Sequence, residues 1–264
     1  MAKKQILSYL LVGLVAVTLL AIPVADVSAR ISRRRAERLL HDLRQLQVDK
    51  STFEDARRVI VGHGGGVSPY DHSGCSPAHC TFDVALKHYP LLIGVWGRAL
   101  SLEMTFNVVR LFPPLGLQDW WGGATVRVDG GIVTQVTYGV FVRGSGGWVL
   151  GGDTDESKVV PQFLQTRMGQ RSYVVHWFNI TTVGGGEGIQ STLTPQANVE
   201  ERNRAYDFDF DCLTRLGGCT SLCQFVPSAF ADLVKETGGM PYLDEHDPHC
   251  AKFKPAQTSP KPGP

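Results

Sequence analysis

The chain has 264 residues, of which 43% are hydrophobic and 19% are charged, a balance typical of a globular protein and unlike that of a disordered chain. Its formal net charge of +1 excludes the strong positive field by which proteins bind nucleic acid without sequence preference, so we expect no nucleic-acid partner. The 29 glycines and 15 prolines indicate many turns and favour a β-rich fold.

The segment from Ile6 to Ala25 is apolar and carries no charged side chain. Its length is close to the ~20 residues that a membrane-spanning helix needs. The sequence therefore predicts a single-pass membrane helix at residues 6–25, within an anchor or signal segment at residues 1–29. The alternative is a cleaved signal peptide, because Val27-Ser28-Ala29 has the small residues of a cleavage site, and cleavage following Ala29 would release a secreted domain.

Two short helices are predicted after the anchor. Apolar residues recur at intervals of three and four positions from Ile31 to Gln47, the pattern of an amphipathic helix. Ser51-Thr52-Phe53-Glu54 matches a capping box, in which Ser51 and Glu54 satisfy free amides at the start of the second helix. The glycine-rich stretch 62–66 would end that helix.

The hydrophobic period then changes from that of a helix to the alternation of a strand. Such runs predict strands at 82–87, 101–108, 124–128 and 132–142, with further strands at 148–150, 172–180 and 188–193. Asp129-Gly130-Gly131 predicts a tight hairpin turn, since Asp-Gly favours the positive φ that such a turn requires.

The end of the chain predicts a short C-terminal helix from Pro227 to Glu236 and a disordered, Pro-rich tail at residues 252–264. The fold class that follows is α+β. It has an N-terminal membrane helix, two short helices and a mainly antiparallel β-sheet in one soluble domain at residues 30–251.

The six cysteines form an even set after an export-like N-terminus: Cys75, Cys80, Cys212, Cys219, Cys223 and Cys250. This predicts disulfides in an oxidising compartment. Cys75 and Cys80 are close enough in sequence to close a local loop, and the other four would pair among themselves in one of three ways. The alternative is a zinc site that combines Cys219 and Cys223 with His246, His249 and Cys250.

The cysteines and the arginines favour opposite sides of the membrane. Disulfides indicate an exported domain, whereas five arginines between residues 30 and 38 favour the cytoplasmic side. We expect the soluble domain to be extracytoplasmic.

Residues 43–56 carry a resemblance to known proteins, in the pattern Leu43-x2-Leu46-Gln47-Val48-Asp49-Lys50-Ser51-Thr52-Phe53-Glu54-Asp55-Ala56. The pattern resembles the helix-turn-helix start of small envelope lipoproteins related to the SmpA outer-membrane assembly factors, and of β-lactamase inhibitor protein. This resemblance implies two helices followed by an antiparallel sheet that binds other proteins. The chain has no cysteine just after the apolar segment, so a lipid anchor is not implied.

A second resemblance is to a group of uncharacterised bacterial single-span envelope proteins. It is carried by the Ser51-Thr52 helix start, by Cys75 to Phe82 and by Cys212 to Cys219. It implies no particular activity.

Two polar clusters are candidates for chemistry. Asp71, His72 and His79 lie near the first cysteine pair, and the stretch 244–250 is dense in groups that bind metals or transfer protons. We expect a non-catalytic, membrane-anchored envelope protein without a cofactor, which binds other proteins through its β domain. The alternative is an envelope metal-binding protein or hydrolase that uses these His, Asp and Cys clusters.

Overall fold

The computed structural model describes residues 2–69, 71, 74–88, 120–143, 173–180, 186–215, 218–219, 221–228, 230–231, 234 and 248–253. Two helices are followed by six strands: α1 (Ala2–Gln45), α2 (Phe53–Gly62), β1 (Gly66–Val67), β2 (His79–His88), β3 (Trp120–Asp129), β4 (Ile132–Arg143), β5 (Tyr173–Ile180) and β6 (Gly186–Leu193). Shorter helices follow in the described part of the chain: α3 (Val199–Ala205), α4 (Leu222–Phe225) and two 3-10 helices, Asp211–Thr214 and Pro248–Phe253. Where the C-terminal helix was predicted, the described residues Pro227, Ser228, Phe230, Ala231 and Val234 are helical. The α+β class and the antiparallel sheet are confirmed. The strands predicted at 101–108 and 148–150, and most of the predicted tail, lie outside the described residues.

Helix α1 is one continuous helix of 44 residues. The prediction of a separate short helix at Ile31–Gln47 was therefore wrong, because that segment is the C-terminal part of α1. Residues 24–45 contain neither proline nor glycine, so no residue breaks the helix there.

The predicted spanning segment, 6–25, lies within α1, but most of its side chains are outside the described residues. Within the part of the chain that the structure describes, no helix is both long enough and apolar enough to cross a membrane. The membrane anchor stays a prediction.

Helix α2 begins with a capping box, one residue later than the sequence predicted. Thr52 is the N-cap, its side chain accepts from the Asp55 amide, and the Asp55 carboxylate accepts from the Thr52 amide at 3.0 Å. The hydroxyl of Ser51 instead accepts from the amide of Gln47 at 2.9 Å, in the turn before α2. Ser51 and Thr52 both match the sequence pattern of an N-cap residue. Because the Ser51 hydroxyl is bonded to Gln47 in the turn, Thr52 is the residue that caps the helix.

The strands form one antiparallel sheet in the order β1-β2-β3-β4-β6-β5. The predicted hairpin is confirmed: β3 and β4 are joined by Gly130 and Gly131, whose φ angles are 63° and 83°. These left-handed conformations are accessible to glycine without steric cost. The strands predicted at 82–87, 172–180 and 188–193 are also present.

One face of the sheet carries the core. The buried helix residues recur at helical spacing and the buried strand residues alternate, so each element presents one apolar side to the other. The largest fully buried side chains of α1, α2 and the strands are Leu39, Leu43, Ile60, Phe82, Trp120, Tyr138, Ile189 and Leu193, and the C-terminal segment adds Leu213, Phe225 and Phe230. Burying such side chains contributes roughly 1.5–3 kcal/mol each, the main favourable term in the folding of this domain.

The C-terminal segment packs on this core through aromatic rings and disulfides. Phe208 meets Tyr138 of β4 edge-to-face at 4.9 Å, and Phe225 meets Phe210 in the same way at 5.3 Å. Disulfides join Cys212 to Cys219 and Cys223 to Cys250, and a third joins Cys75 to Cys80. The prediction of a local first pair, with the other four cysteines paired among themselves, is confirmed.

Helix α1 runs along the strands from one end of the sheet towards the other. Its Ser32 hydroxyl lies 3.0 Å from Nδ1 of His88, where β2 ends. After α1, the Asp49 amide donates to the Val133 carbonyl at 2.8 Å, near the start of β4. We call the end at His88 and its partner Trp120 the proximal end, because it lies nearer to the predicted anchor, and the end at His79 and its partner Asp129 the distal end.

Candidate functional site

A polar cluster lies at the distal end of the sheet, and we call His79, Arg127, Asp129 and Thr134 the distal cluster. His79 Nδ1 lies 2.6 Å from Asp129 Oδ1, and the other carboxylate oxygen accepts from Arg127 Nε and from the Thr134 hydroxyl, both at 2.9 Å. Antiparallel pairing places His79 opposite Asp129 across β2 and β3, although 50 residues separate them in sequence.

The distal cluster has a well-defined charge state at its carboxylate. Partial burial alone would raise the pKa of Asp129, but hydrogen bonds from Thr134 and His79 and the charge of Arg127 outweigh it, so the pKa lies below its usual value. Asp129 is therefore ionised at neutral pH. It orients the imidazole of His79, whose side chain is 38% exposed and accessible to a partner or to water.

The loop before β2 supports the cluster. The Cys75–Cys80 disulfide closes it, and the carboxylate of Asp71 accepts from the amide of Thr81 at 2.8 Å. Asp71 therefore holds the loop onto the start of β2. His72, its predicted companion, lies outside the described residues. Among the described side chains, no group of three or more His, Cys, Asp or Glu residues is arranged to hold a metal ion.

The cysteines of the alternative zinc site near the C-terminus are not available as thiolate ligands. Cys219, Cys223 and Cys250 are all in disulfides, and a disulfide sulfur is not a thiolate. His246 and the side chain of His249 lie outside the described residues. The described part of the segment is therefore a disulfide-linked end of the domain.

A buried histidine at the proximal end was not predicted from the sequence. His88 is 3% exposed, its Nδ1 is joined to Ser32, and its ring centre lies 6.2 Å from that of Trp120. Nε2 of His88 and Nε1 of Trp120 are buried, and neither has a hydrogen-bond partner in the described structure. Burial lowers the pKa of His88, so its imidazole is neutral at pH 7. The helical spacing of α1 shows that Ser32 faces inward, but only the tertiary fold brings β2 to it.

The outer strand β5 is a second candidate site. Among the strands that the structure describes, β5 pairs with β6 alone, so the N–H and C=O groups of its other edge have no strand partner there. Its sequence, Tyr173-Val174-Val175-His176-Trp177-Phe178-Asn179-Ile180, has no Lys, Arg, Asp, Glu, Pro or Gly. Edge strands are ordinarily protected by such residues, so within the described sheet β5 is an unprotected edge.

The opposite edge of the sheet is different. β1 pairs with β2 at Phe82 and Asp83, and β2 carries the charged residues Asp83 and Lys87. These features are typical of an edge that resists further pairing.

No protein-family model, curated protein or solved structure matches the chain. The resemblances to the SmpA-related lipoproteins and to single-span envelope proteins therefore stay predictions.

Proposed function

We propose that the chain is a membrane-anchored, non-catalytic envelope protein that binds other proteins by strand addition at the edge of β5. The observation that carries this proposal is the unprotected edge, eight residues long and without charge, proline or glycine. An extended segment of a partner adds to such an edge through main-chain hydrogen bonds, and its side chains provide the specificity.

The chemistry of β5 also defines the partner. Six of its eight residues are aromatic or β-branched and apolar, all except His176 and Asn179, so a complementary segment is itself extended, neutral and rich in apolar residues. A strongly charged segment would place unpaired charge beside these residues, at a cost in desolvation.

The proposed anchor is supported by the continuity of α1. Ala29 is 2% exposed and lies in the interior of α1, so cleavage following Ala29 would cut within the helix and remove a buried residue. The three disulfides support an oxidising compartment and therefore an extracytoplasmic domain.

The distal cluster favours the second candidate, a hydrolase or metal-binding protein. It contains a His–Asp pair of the kind that transfers protons, but the nearby cysteines are oxidised and supply no thiol nucleophile. We place it second because the pair is at an exposed sheet end rather than in an enclosed pocket.

Amide hydrogen exchange of the full-length chain with and without its captured partner tests the proposal. A photo-reactive amino acid at Asn179, at the other end of β5, would capture the partner, and binding should slow exchange in β5. Val174→Lys should abolish both effects, because a charged edge resists pairing. Ala85→Lys is the matched control, since Ala85 is an exposed residue of β2 near the opposite edge.

Three outcomes would overturn the proposal. These are partner binding with unchanged exchange in β5, an equal loss of binding in Ala85→Lys, and capture of a second copy of this chain rather than another protein.

A further inference from the structure

A stripe on the exposed face of α1 continues from the predicted spanning segment. Its members are three or four positions apart and share one face: Val27, Arg30, Ile31, Arg34 and Arg38. Val27 and Ile31 are 55% and 47% exposed, although both are large and apolar. We call this surface the basic stripe; the opposite face of the helix packs on the sheet through Ala36, Leu39 and Leu43.

Two arginines of the stripe, Arg30 and Arg34, line a shallow depression between α1 and the 3-10 helix Asp211–Thr214. It is lined by Arg30, Arg33, Arg34, Glu37 and Thr214. Arg33 is held in place, because Nε lies 2.6 Å from Glu37, a terminal nitrogen donates to the Thr214 hydroxyl at 3.1 Å, and the other terminal nitrogen contacts Asp211. Arg30 pairs with Asp26 at 2.8 Å.

The local charge is nevertheless positive. Residues 26–38 contain five arginines and two carboxylates, a net charge of +3. Arg34 and Arg38 are exposed, with their side chains on the open side of the helix. Within the described structure, Arg38 donates one bond, from Nε to the Arg34 carbonyl at 3.2 Å, and its other guanidinium donors face the open side of the helix.

We propose that the basic stripe binds the anionic headgroups of the membrane that anchors the chain. The inference rests on the proposed anchor and adds a lipid class to it. At 1.5 Å per residue, Ile31 lies roughly 9 Å beyond Ala25 along α1, about the depth of the headgroup layer. Apolar side chains interleaved with arginines on one helix face are the pattern of a helix at the lipid–water boundary.

The two residue types have different tasks there. Val27 and Ile31 remove apolar surface from water at the margin of the hydrocarbon, while Arg34 and Arg38 extend towards lipid phosphates, which a guanidinium binds through two parallel donors. Contact along this stripe tilts α1 and holds the domain against the bilayer.

The test uses the full-length chain in lipid nanodiscs, with a nitroxide spin label at Ile31→Cys. Carbonate extraction first shows whether the chain is anchored. Collisions of the label with oxygen and with a water-soluble nickel chelate then report its depth. In discs containing phosphatidylglycerol the label should be shielded from nickel, and in pure phosphatidylcholine it should be more accessible.

Substitutions separate charge from anchoring. Arg34→Gln and Arg38→Gln should each lower the ratio of shielded to accessible label about fivefold in anionic discs. The matched control is Arg57→Gln with Arg58→Gln, which removes two exposed arginines of α2 outside the stripe.

The outcomes are distinguishable. If the chain is extracted by carbonate, the anchor itself fails. If it resists extraction but the label is equally accessible in both lipids, or the control behaves like Arg34→Gln, the lipid inference is wrong while the anchor stands. If inorganic phosphate added to neutral discs changes the mobility of the label and Arg34→Gln removes that change, the ligand is a soluble phosphate and the lipid assignment is overturned.

Discussion

The hydroxyl of Ser32 and Nδ1 of His88 lie 3.0 Å apart and join α1 to the proximal end of the sheet. The contact is partly buried, with His88 3% exposed, and it connects the helix that carries the predicted anchor to a residue 56 positions later in sequence. It therefore couples the orientation of the β domain to α1.

Acid should weaken this contact. Burial lowers the pKa of His88, so below about pH 6.5 the unfolded chain binds a proton that the folded chain does not. The stability that His88 contributes is fully present above about 6.5, the pKa of this histidine in the unfolded chain, and is lost as the pH falls below that value. Urea unfolding of the full-length chain should show less stability at pH 5 than at pH 7, and His88→Asn should remove most of that difference. An unchanged pH dependence in His88→Asn would contradict the assignment.

Asp129 should add a separate loss of stability in stronger acid. Its pKa is lowered in the folded state, so its contribution is present above the unfolded value near 3.9 and is lost as the pH falls through the folded value. Asp129→Asn should reduce stability at pH 7 and flatten the unfolding profile below about pH 4. If the variant matches the wild type at pH 7, the distal cluster does not stabilise the fold.

The disulfides should differ in their effect on stability. A disulfide stabilises the folded chain by lowering the entropy of the unfolded chain, and the effect grows with the length of the loop that it closes. Cys223–Cys250, with a sequence separation of 27, should contribute about 3.5 kcal/mol to the free energy of unfolding. Cys75–Cys80, with a separation of 5, should contribute about 2 kcal/mol. Replacing each pair with serines and comparing free energies of unfolding tests this order.

Thiol counting is the companion measurement. The native chain, denatured without reductant, should expose no free thiol from the three pairs, and reduction should release six. Free thiols together with stoichiometric zinc would restore the metal-binding alternative.

Gly65 should be intolerant of a side chain. A Cβ there would lie 2.4 Å from the Asp83 carbonyl oxygen and 2.6 Å from Cγ2 of Ile60, because the chain leaving α2 passes close against β2. Gly65→Ala should cost about 1–3 kcal/mol of unfolding free energy. Gly66→Ala is the control, since a Cβ at Gly66 meets no atom within 4 Å. Equal effects of the two substitutions would rule out the close approach.

Thr52 should matter more than Ser51 for helix α2. Thr52→Ala removes the N-cap and should lower the free energy of unfolding by about 1 kcal/mol. Ser51→Ala removes only an exposed turn hydrogen bond to Gln47, which water replaces, so its effect should be smaller. Chemical denaturation of the two variants gives the comparison, and a larger effect at Ser51 would support the capping box that the sequence pattern alone predicts.

The sequence alone determined the local elements. Alternating residues on either side of Asp129-Gly130-Gly131 determined the β3–β4 hairpin, since a period of two buries one face of a strand and glycine accepts positive φ. Helical spacing likewise determined the buried side of α1 at Ala36, Leu39 and Leu43.

Only the tertiary structure decided the relationships between distant segments. Strand register places His79 beside Asp129, and the packing of α1 places Ser32 beside His88. The fold of the C-terminal segment brings Cys212 to Cys219 and Cys223 to Cys250, which is one of three possible pairings. The strand order left β5 at the edge of the described sheet, although its composition also suits a central strand. The physical reason is that periodicity and turn chemistry act over a few neighbouring residues, whereas register and pairing depend on packing the whole core at once.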